Sequence, residues 1–488
     1  MKYWVFILVV FLSSCKYRNF ENELSLTEFP NDIALITKNK CATTGCHTQN
    51  DKLAASGLSL ETWSDLFKGA NSGASVVAGF PNKSPFFTFV NIHKDLGVTN
   101  SPTMPVNNPT LSRIEIETIR NWISTGAPNR NGEQFFKDGS DREKAYITNQ
   151  GCDIVAVMDL ELKVVSNYIE VGVLGGITES PHQVKVSPNK KMWLVTFING
   201  SILQVYNTVN DKLMANIEIG IGNWNTITIS SDSKKAFVVD WSSEGKVAYV
   251  DLEQLTLIKL YQGPGFLNYP HGSYVSKDGK RLYLTAQTGN FIYKLDISDP
   301  LFPSVDQIVL GNGETPSLTS KYDAHELLFT PDEKYYYVTC QNSNEVRVME
   351  TQSDQLVKVI PVGEYPSEMT LDFNNNRLYV SCMEDDINLN NAALKRKGVI
   401  SIIDINTNNL IKHIYSGFQP HGLAYDESTN CIWVTNRNIS PGGPAPHHTT
   451  DCAGKNGNVV FINCQTMELI PKSHELSVDP YTVAIKKN

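Results

Sequence analysis

Pro270-His-Gly-Ser-Tyr-Val-Ser-Lys-Asp-Gly279 is the clearest copy of a pattern that recurs through most of the chain. A proline begins a strand of alternating polarity, a turn of Asp, Asn or Gly follows, and a second apolar strand comes after the turn. Two further copies are Pro181-His-Gln-Val-Lys-Val-Ser-Pro-Asn189 and Pro420-His-Gly-Leu-Ala-Tyr-Asp426, and other units begin near Trp224, Ala324, Pro366 and Pro480. The seven units begin 42 to 60 residues apart, which indicates one supersecondary unit stacked repeatedly on its neighbours.

The units also contain a third and a fourth strand. Third strands end in Asp, as in Val247–Asp251, Phe291–Asp296 and Val399–Asp404, and the fourth strand in Leu356–Gly363 leads to Gly. Four-stranded units at this period are typical of a β-propeller. Lys144–Gly172 supplies a second, third and fourth strand without a first, whereas Pro480–Ile485 supplies a first strand with nothing after it. We therefore predict that residues 144–488 form an all-β, seven-bladed propeller whose seventh blade combines both ends of the region.

Three segments of this region resemble the Tyr-Val-Thr-Asn propeller repeat: Tyr146-Ile-Thr-Asn149, Tyr337-Val-Thr339 and Trp433-Val-Thr-Asn436. The resemblance extends over the whole predicted propeller. Because that repeat family includes many functions, it implies the fold rather than an activity.

A different signal, Cys41-Ala-Thr-Thr-Gly-Cys46-His47, precedes the repeats. Two thiols followed at once by an imidazole are typical of covalent haem attachment, in which the thiols form thioethers and the histidine ligates the iron. The usual spacing has two residues between the cysteines, and here there are four. The longer insert is expected to bulge away from the porphyrin. A disulfide beside an unrelated histidine is the alternative.

Met104 is the candidate for the second axial ligand of the iron. It lies between two prolines in Ser101-Pro-Thr-Met104-Pro105, 57 residues after His47, which is enough chain to return on the other face of a porphyrin. His93 is a second candidate, although its polar surroundings lack a rigid flank. A methionine that only fills the core is the alternative for Met104.

Four elements, taken in order, resemble a small monohaem cytochrome c domain of the type found in bacterial envelope lipoproteins. They are Cys-x4-Cys-His, then Val76-Val77-Ala-Gly79-x-Pro81-x-x-Ser84, then Met104-Pro105, then Leu111-Ser112 to Trp122-Ile123-x-x-Gly126-Ala127. The resemblance covers residues 29–132 and implies an all-α domain with one covalent haem c. Cys41 and Cys46 would form the thioethers, and His47 and Met104 would ligate the iron. Such a domain passes single electrons.

Four helices are expected in this domain. Three are short, at Glu28–Lys38, Ser59–Phe67 and Ser84–Val90. The fourth is clearest, because Ser112 as N-cap and Glu115 three residues later form a capping-box pattern and Gly126 ends the apolar periodicity. Residues 133–143 are read as the linker to the propeller.

The N-terminus reads as a targeting signal. Lys2 precedes an apolar run at Tyr3–Leu12 that is too short to span a bilayer. Leu12-Ser13-Ser14-Cys15 resembles a bacterial lipobox, which implies a signal peptide at residues 1–15, acylation of Cys15 and a polar tether at 16–28. Lys16 in place of Asp implies outer-membrane sorting rather than inner-membrane retention. An ordinary signal peptide with an incidental cysteine is the alternative. We expect a lipid-anchored protein in the periplasm or at the cell surface.

Composition limits the classes of partner. A net charge of -9 and a sequence pI near 5.6 argue against nucleic acid and anionic membrane surfaces. The expected partner is a redox protein of the envelope, with the lipid anchor as the only membrane contact. Outside the cytoplasm disulfides are permitted. A local pairing is favoured within Cys431, Cys452 and Cys464, although the six remaining cysteines leave the connectivity open.

Seven side chains occupy the same position of the first strand in successive units: His182, Asn225, His271, His325, Ser367, His421 and Tyr481. First strands line the channel of a propeller, so these side chains should surround one mouth of it. The four histidines can hold copper, another transition metal or a haem-like group. Similar propellers in nitrous oxide reductase and haem-d nitrite reductase carry redox centres. Alternatively, Pro-His is a repeat element whose imidazole bonds the backbone of the next blade.

Two long loops are expected on the same face as these side chains, Glu384–Gly398 and Asn438–Gly457. The second contains His447 and His448, which extend the candidate metal or substrate site. Cys340 and Cys382 end their second strands at that rim.

Three hypotheses of function follow. The first is an envelope electron-transfer lipoprotein whose cytochrome domain passes electrons while its propeller docks a partner or holds a redox centre. The second is a periplasmic oxidoreductase with a metal or substrate site on the histidine-rich face. The third is a propeller that binds a protein or glycan, with the haem as an accessory. The sequence indicates no nucleophile or general acid and base.

Overall fold

The computed structural model describes residues 26–136, 142–319, 321–384, 398–440, 442–448 and 452–488. A small helical region is followed by seven four-stranded sheets, which confirms the predicted fold class. None of the described helices combines the length and apolar character needed to cross a membrane. The predicted signal peptide at 1–15, with Cys15, lies outside the described residues.

The helical region has its own hydrophobic core. Its helices are α1 (Asn31–Ile36), α2 (Trp63–Lys68), α3 (Pro85–Thr88) and α4 (Arg113–Ser124), with a π-helical turn at Thr37–Cys41 and 3-10 turns at Lys52–Ala55, Pro81–Lys83 and Lys94–Leu96. The inward side chains include Phe29, Ile33, Leu66, Phe87, Ile116 and Trp122.

Capping decides where these helices begin. The Glu115 carboxylate accepts the backbone N–H of Ser112 at 2.7 Å, and the Ser112 hydroxyl accepts the N–H of Glu115 at 3.3 Å, so the predicted capping box is confirmed. The prediction for α2 is wrong by several residues. The predicted segment began at Ser59, whereas the helix begins after its N-cap Thr62, whose hydroxyl accepts the N–H of Asp65 at 3.1 Å.

Six blades follow each other along the chain, each a four-stranded antiparallel sheet. Blade one contains β4 (Pro181–Val186), β5 (Met192–Phe197), β6 (Gly200–Asn207) and β7 (Leu213–Gly222), and blade two contains β8 (Trp224–Ile229), β9 (Lys235–Asp240), β10 (Val247–Asp251) and β11 (Thr256–Tyr261). Blade three contains β12 (Pro270–Val275), β13 (Arg281–Ala286), β14 (Phe291–Asp296) and β15 (Ser304–Val309), and blade four contains β16 (Ala324–Phe329), β17 (Tyr335–Cys340), β18 (Glu345–Glu350) and β19 (Gln355–Pro361). Blade five contains β20 (Pro366–Asp372), β21 (Arg377–Cys382), β22 (Gly398–Asp404) and β23 (Asn409–Gly417), and blade six contains β24 (Pro420–Asp426), β25 (Cys431–Asn436), β26 (Asn456–Asn463) and β27 (Glu468–Val478).

Blade seven closes the ring with strands from both ends of the region. Its strand order is β28 (Pro480–Lys486), β1 (Lys144–Asn149), β2 (Ile154–Asp159) and β3 (Val164–Glu170). β28 and β1 are antiparallel, with Lys144 opposite Lys486 and Tyr146 opposite Ala484. The predicted composition of the seventh blade is therefore confirmed.

The helical region lies against the outer strands of blades six and seven. The backbone N–H groups of Ser473 and Glu475, in β27, donate to the carbonyls of Asn71 and Ser72 at 3.0 and 3.4 Å. Chain from the helical region thus covers an otherwise open sheet edge. A Cβ at Gly73 would lie 3.0 Å from His474 Nδ1, so a glycine at this position permits the close approach.

A disulfide joins blades six and seven. Cys152 follows β1, and Cys452 precedes β26 with its Cα atom 5.5 Å from that of Cys152, although the two cysteines are 300 residues apart in sequence. The expected local pairing is wrong, because Cys431 and Cys464 are free thiols. Ring closure explains the difference, since it brings the start of the propeller next to its last complete blade.

We predict that the double variant Cys152→Ser/Cys452→Ser unfolds more easily. A cross-link over so long a segment restricts the unfolded chain, so its removal should lower the free energy of unfolding by about 2–4 kcal/mol. Denaturant titration without reductant measures the change. Reductant should shift the parent protein towards the variant and leave the variant unchanged; equal midpoints for all samples would contradict the prediction.

Candidate functional site

The segment Cys41–His47 folds back on itself. The backbone N–H of His47 donates to the carbonyl of Cys41 at 3.2 Å, and that of Cys46 donates to Thr43 at 2.9 Å. Gly45 has a φ of +80°, in the region that favours glycine. The two additional residues between the cysteines are therefore contained in a turn, and the ends of the motif still lie together.

The environment of His47 suits a metal ligand. Its Nδ1 lies 3.3 Å from the carbonyl oxygen of Leu58, which favours the tautomer that leaves Nε2 as the electron-pair donor. The pKa of the half-buried imidazole is lowered by burial. Its backbone carbonyl accepts the N–H of Leu60 at 2.8 Å, so the residue is held on both sides.

The two cysteines differ in exposure. Cys41 is buried in the core of the helical region, whereas Cys46 is only half-buried. Burial raises the pKa of the Cys41 thiol to about 12, and the neighbouring Cys46 and Glu115 add to the effect. A neutral sulfur such as a thioether suits that position better than a thiolate.

Met104 packs against the same hydrophobic cluster that contains Cys41. Its backbone N–H donates to the carbonyl of Phe89 at 2.8 Å. His93, the other candidate ligand, occupies the N-cap position of the 3-10 turn at Lys94–Leu96 without a side-chain capping hydrogen bond. Cys41 and Met104 share one small core, and the backbone of His47 bonds that of Cys41 at the end of the Cys41–Cys46 turn. One imidazole nitrogen, one thioether sulfur and two cysteines are the donor set of a covalently bound haem, so the residues present fit this group.

The four first-strand histidines come together in the propeller channel. Ring centroids lie 4.0 Å apart for His271 and His325, 3.7 Å for His421 and Tyr481, and 4.2 Å for His182 and Tyr481. Two gaps of 6.3 and 6.0 Å remain, where Asn225 and Ser367 occupy the positions between histidines. We call His182, Asn225, His271, His325, Ser367, His421 and Tyr481 the channel ring.

Burial dominates the electrostatics of the channel ring. It lowers the pKa of His271 to about 4 and that of His325 well below its usual range. His271 Nδ1 lies 3.1 Å from the carbonyl of His325, which is the contact with the next blade that the Pro-His repeat alternative requires. Neither ring nitrogen of His325 has a hydrogen-bond partner.

The geometry gives no support to a propeller metal. Within the described residues, no group of three or more His, Cys, Asp or Glu side chains is arranged to hold a metal ion. His421 and Tyr481 instead stack on each other, with ring planes 26° apart.

His447 and His448 do not join the channel ring. Their loop runs beside the turn before β24 as predicted, since Ser440 N donates to Gln419 Oε1 at 2.8 Å. The Glu475 carboxylate, on outer strand β27, accepts the backbone N–H groups of both histidines at 2.8 and 2.9 Å. This bond pair turns the histidines outward, towards the helical region. Of the other predicted loop, only Glu384 and Gly398 are described.

Two buried carboxylates in the channel were not found from the sequence. Glu326 and Glu368 each follow a channel-ring position by one residue and are 8% and 9% exposed. Burial raises the pKa of both carboxyls, and the positive charge of Lys185 opposes the shift in both. The charge of Glu368 raises the pKa of Glu326 further, to about 8. The sequence did contain a signal for these two carboxylates. When the seven units are aligned, the residue after the channel-ring position is acidic only in blades four and five.

We predict that the pair Glu326 and Glu368 contributes stability that is lost as the pH rises from about 5 to about 8. A carboxyl whose pKa is raised on folding keeps a proton that the unfolded chain releases, so its contribution to the unfolding free energy falls across this interval. The buried histidines of the channel ring contribute with the opposite sign, because their lowered pKa values make stability rise with pH, so the carboxyl contribution is read as a difference between variants. Thermal unfolding at several pH values measures the slope. Relative to the parent protein, Glu326→Gln should remove this contribution, so that its unfolding free energy falls less, or rises more, with pH. Glu61→Gln, at an exposed position, should keep the parent slope; a Glu326→Gln slope equal to that of the parent would contradict the prediction.

Comparison with known proteins supports the division into two regions. The Planctomycete cytochrome C family matches residues 44–105, a span that contains Cys46, His47 and Met104 and begins after Cys41. No curated protein matches the chain. A functionally unknown protein from Desulfotomaculum acetoxidans is similar in structure, with a TM-score of 0.53 and 13% identity over 70% of this chain and 99% of that chain.

A proposed 6-phosphogluconolactonase from Bacteroides uniformis has a TM-score of 0.51 and 14% identity over 71% of this chain and 100% of that chain. At these identities the likeness concerns the fold alone. The chain therefore joins a cytochrome c-like N-terminal region to a seven-bladed β-propeller.

Proposed function

We propose that this protein is a haem-binding electron-transfer lipoprotein of the bacterial envelope. The observation that carries the proposal is the common core of Cys41 and Met104, with His47 held by its backbone next to Cys41. The family match, which spans both candidate axial ligands, supports it.

Each residue of this site has a separate task. When bound, haem c supplies an iron that gains or loses one electron. Cys41 and Cys46 would attach the group, His47, oriented by the carbonyl of Leu58, would be one ligand of the iron, and the sulfur of Met104 would be the second. His/Met ligation raises the reduction potential relative to two imidazoles, which suits electron passage rather than oxygen activation.

The propeller is proposed to dock a redox partner protein of the envelope. Long loops on a rigid scaffold are where binding residues concentrate. The lipobox-like Leu12–Cys15 supports a lipid anchor, with outer-membrane sorting favoured by Lys16. The Cys152–Cys452 disulfide is in keeping with an oxidising compartment.

A periplasmic oxidoreductase is the second candidate, and the channel ring favours it. His325 has two buried nitrogens without a partner, and His421 Nδ1 and Asn225 Oδ1 also lack one. Unpaired buried polar atoms cost about 1–3 kcal/mol each, so a small polar substrate that bonds them would be stabilised there.

We expect the exported protein to contain one iron per chain, in a haem that stays attached after denaturation. A pyridine haemochrome spectrum should report two thioethers in the parent protein and one in Cys41→Ser. Met104→Ala should keep the covalent haem but lower its reduction potential, because the sulfur ligand is lost.

Cys340→Ser is the matched control, since Cys340 is a buried thiol of the propeller. Its haem spectrum should equal that of the parent protein. A non-covalent haem, or two thioethers in Cys41→Ser, would contradict the assignment. A second transition metal at one per chain would instead favour the oxidoreductase.

We expect Cys15→Ala to abolish lipid attachment. The acyl chains on this residue would give stable anchoring, so the variant should move from the membrane fraction to the soluble envelope fraction. Incorporation of a labelled fatty acid and fractionation measure both effects. Labelling that persists in the variant would show that the lipobox assignment is wrong.

A further inference from the structure

The candidate Met104 side of the haem site touches the propeller through one aromatic ring. The ring of Phe89, directly after α3, has its centroid 5.6 Å from that of His447 and 5.5 Å from that of His448. These distances are typical of packed aromatic pairs. The side chains of His447 and His448, in the loop before β26 of blade six, therefore form the propeller surface on which Phe89 packs.

Phe89 in turn holds the segment that ends at Met104. The carbonyl of Phe89 accepts the backbone N–H of Met104 at 2.8 Å, and that of Thr88 accepts the N–H of Asn100 at 2.8 Å. The Asn100 side chain also donates to the Thr88 hydroxyl at 2.8 Å. A displacement of Thr88 and Phe89 would therefore move the sulfur-bearing segment with it.

The two histidines are themselves fixed from the propeller side. Besides accepting their backbone N–H groups, the Glu475 carboxylate accepts a hydrogen bond from Asn456 Nδ2 at 2.8 Å. His448 Nδ1 lies 3.5 Å from the same carboxylate. Cys452, a few residues further along the loop, is attached to blade seven by its disulfide. His447 and His448 are therefore held by the part of the propeller that closes the ring.

A cavity of about 60 Å³ lies between the two regions beside this contact. Thr88 and Asn100 line it from the helical side, and His448, Asn456 and Glu475 line it from the propeller side. Its polar lining and size suit one or two water molecules rather than a collapsed apolar seam. Phe89 and the two histidines therefore make a direct ring contact beside this cavity.

We propose that His447 and His448 are positioning residues for Met104, so that the propeller completes the outer wall of the haem site on its sulfur side. This inference rests on the proposed haem function. It assigns the blade-six loop a task that the cytochrome c-like region does not perform alone: to hold in place, through Phe89, the segment that ends at Met104.

The test uses the full-length, haem-loaded protein. In His447→Ala/His448→Ala the sulfur-to-iron charge-transfer absorption of the oxidised protein should weaken, and the reduction potential should fall. Added imidazole should replace the sulfur ligand more readily, with an affinity for the oxidised haem about threefold to tenfold higher, the size expected for losing an aromatic contact. Phe89→Leu should act in the same direction.

His413→Ala is the matched control, because His413 lies on outer strand β23 of blade five and bonds Ser401 instead. His447→Phe/His448→Phe, which retains an aromatic ring at both positions, should keep most of the parent affinity for imidazole. Thermal unfolding of each variant establishes that it is folded.

Three outcomes separate the ideas. A folded protein without a haem spectrum would remove both the proposed function and this inference. The parent protein can contain haem and show the sulfur-to-iron band while the double variant and Phe89→Leu keep its potential and imidazole affinity. That result would overturn the inference and leave the proposed function standing. Changes in those variants but not in His413→Ala would support it.

Discussion

Closure of the ring by blade seven is the constraint on which the rest of the structure depends. β28 comes from the C-terminal end of the propeller and pairs with β1 from its N-terminal end, so strands from both ends form one sheet. Without β28 the inner position of this blade would be empty, and the strand that faces the channel there, with Tyr481 of the channel ring, would be missing. Closure also removes the open edges that an unclosed array would present.

The same closure determines where the helical region lies. That region ends only a few residues before β1. The short connection keeps it close to blade seven and to blade six beside it. There Asn71 and Ser72 bond the edge of β27, and Phe80 packs against Tyr168 of β3 with ring centroids 6.0 Å apart. The Cys152–Cys452 disulfide crosses the same junction. Covalent, sheet-edge and aromatic contacts therefore coincide at the seam where the ring closes.

Much of this arrangement follows from local sequence patterns, and the errors have a common cause. The repeated units of strand, turn and strand predict every blade, including the divided one, and Ser112 with Glu115 predicts a helix start, because turn chemistry and capping act over a few residues. The disulfide partner of Cys152 is 300 residues away, and only the closed ring brings it near. Alignment places four histidines at one level of the channel, but how their rings pack depends on the neighbouring blades, and the described residues contain no group arranged to hold a metal.

The candidate haem site is held unequally on its two sides. On the His47 side, the contacts to Leu58, Leu60 and Cys41 all lie within the helical region. On the Met104 side, the supporting Phe89 rests on histidines of blade six. A small domain whose core is formed by a few short helices gains rigidity from such a second body, because segments without regular structure have few internal hydrogen bonds to fix them. The positions of Cys41 and His47 thus depend on contacts within the helical region, whereas the segment that ends at Met104 is also supported where the two regions meet.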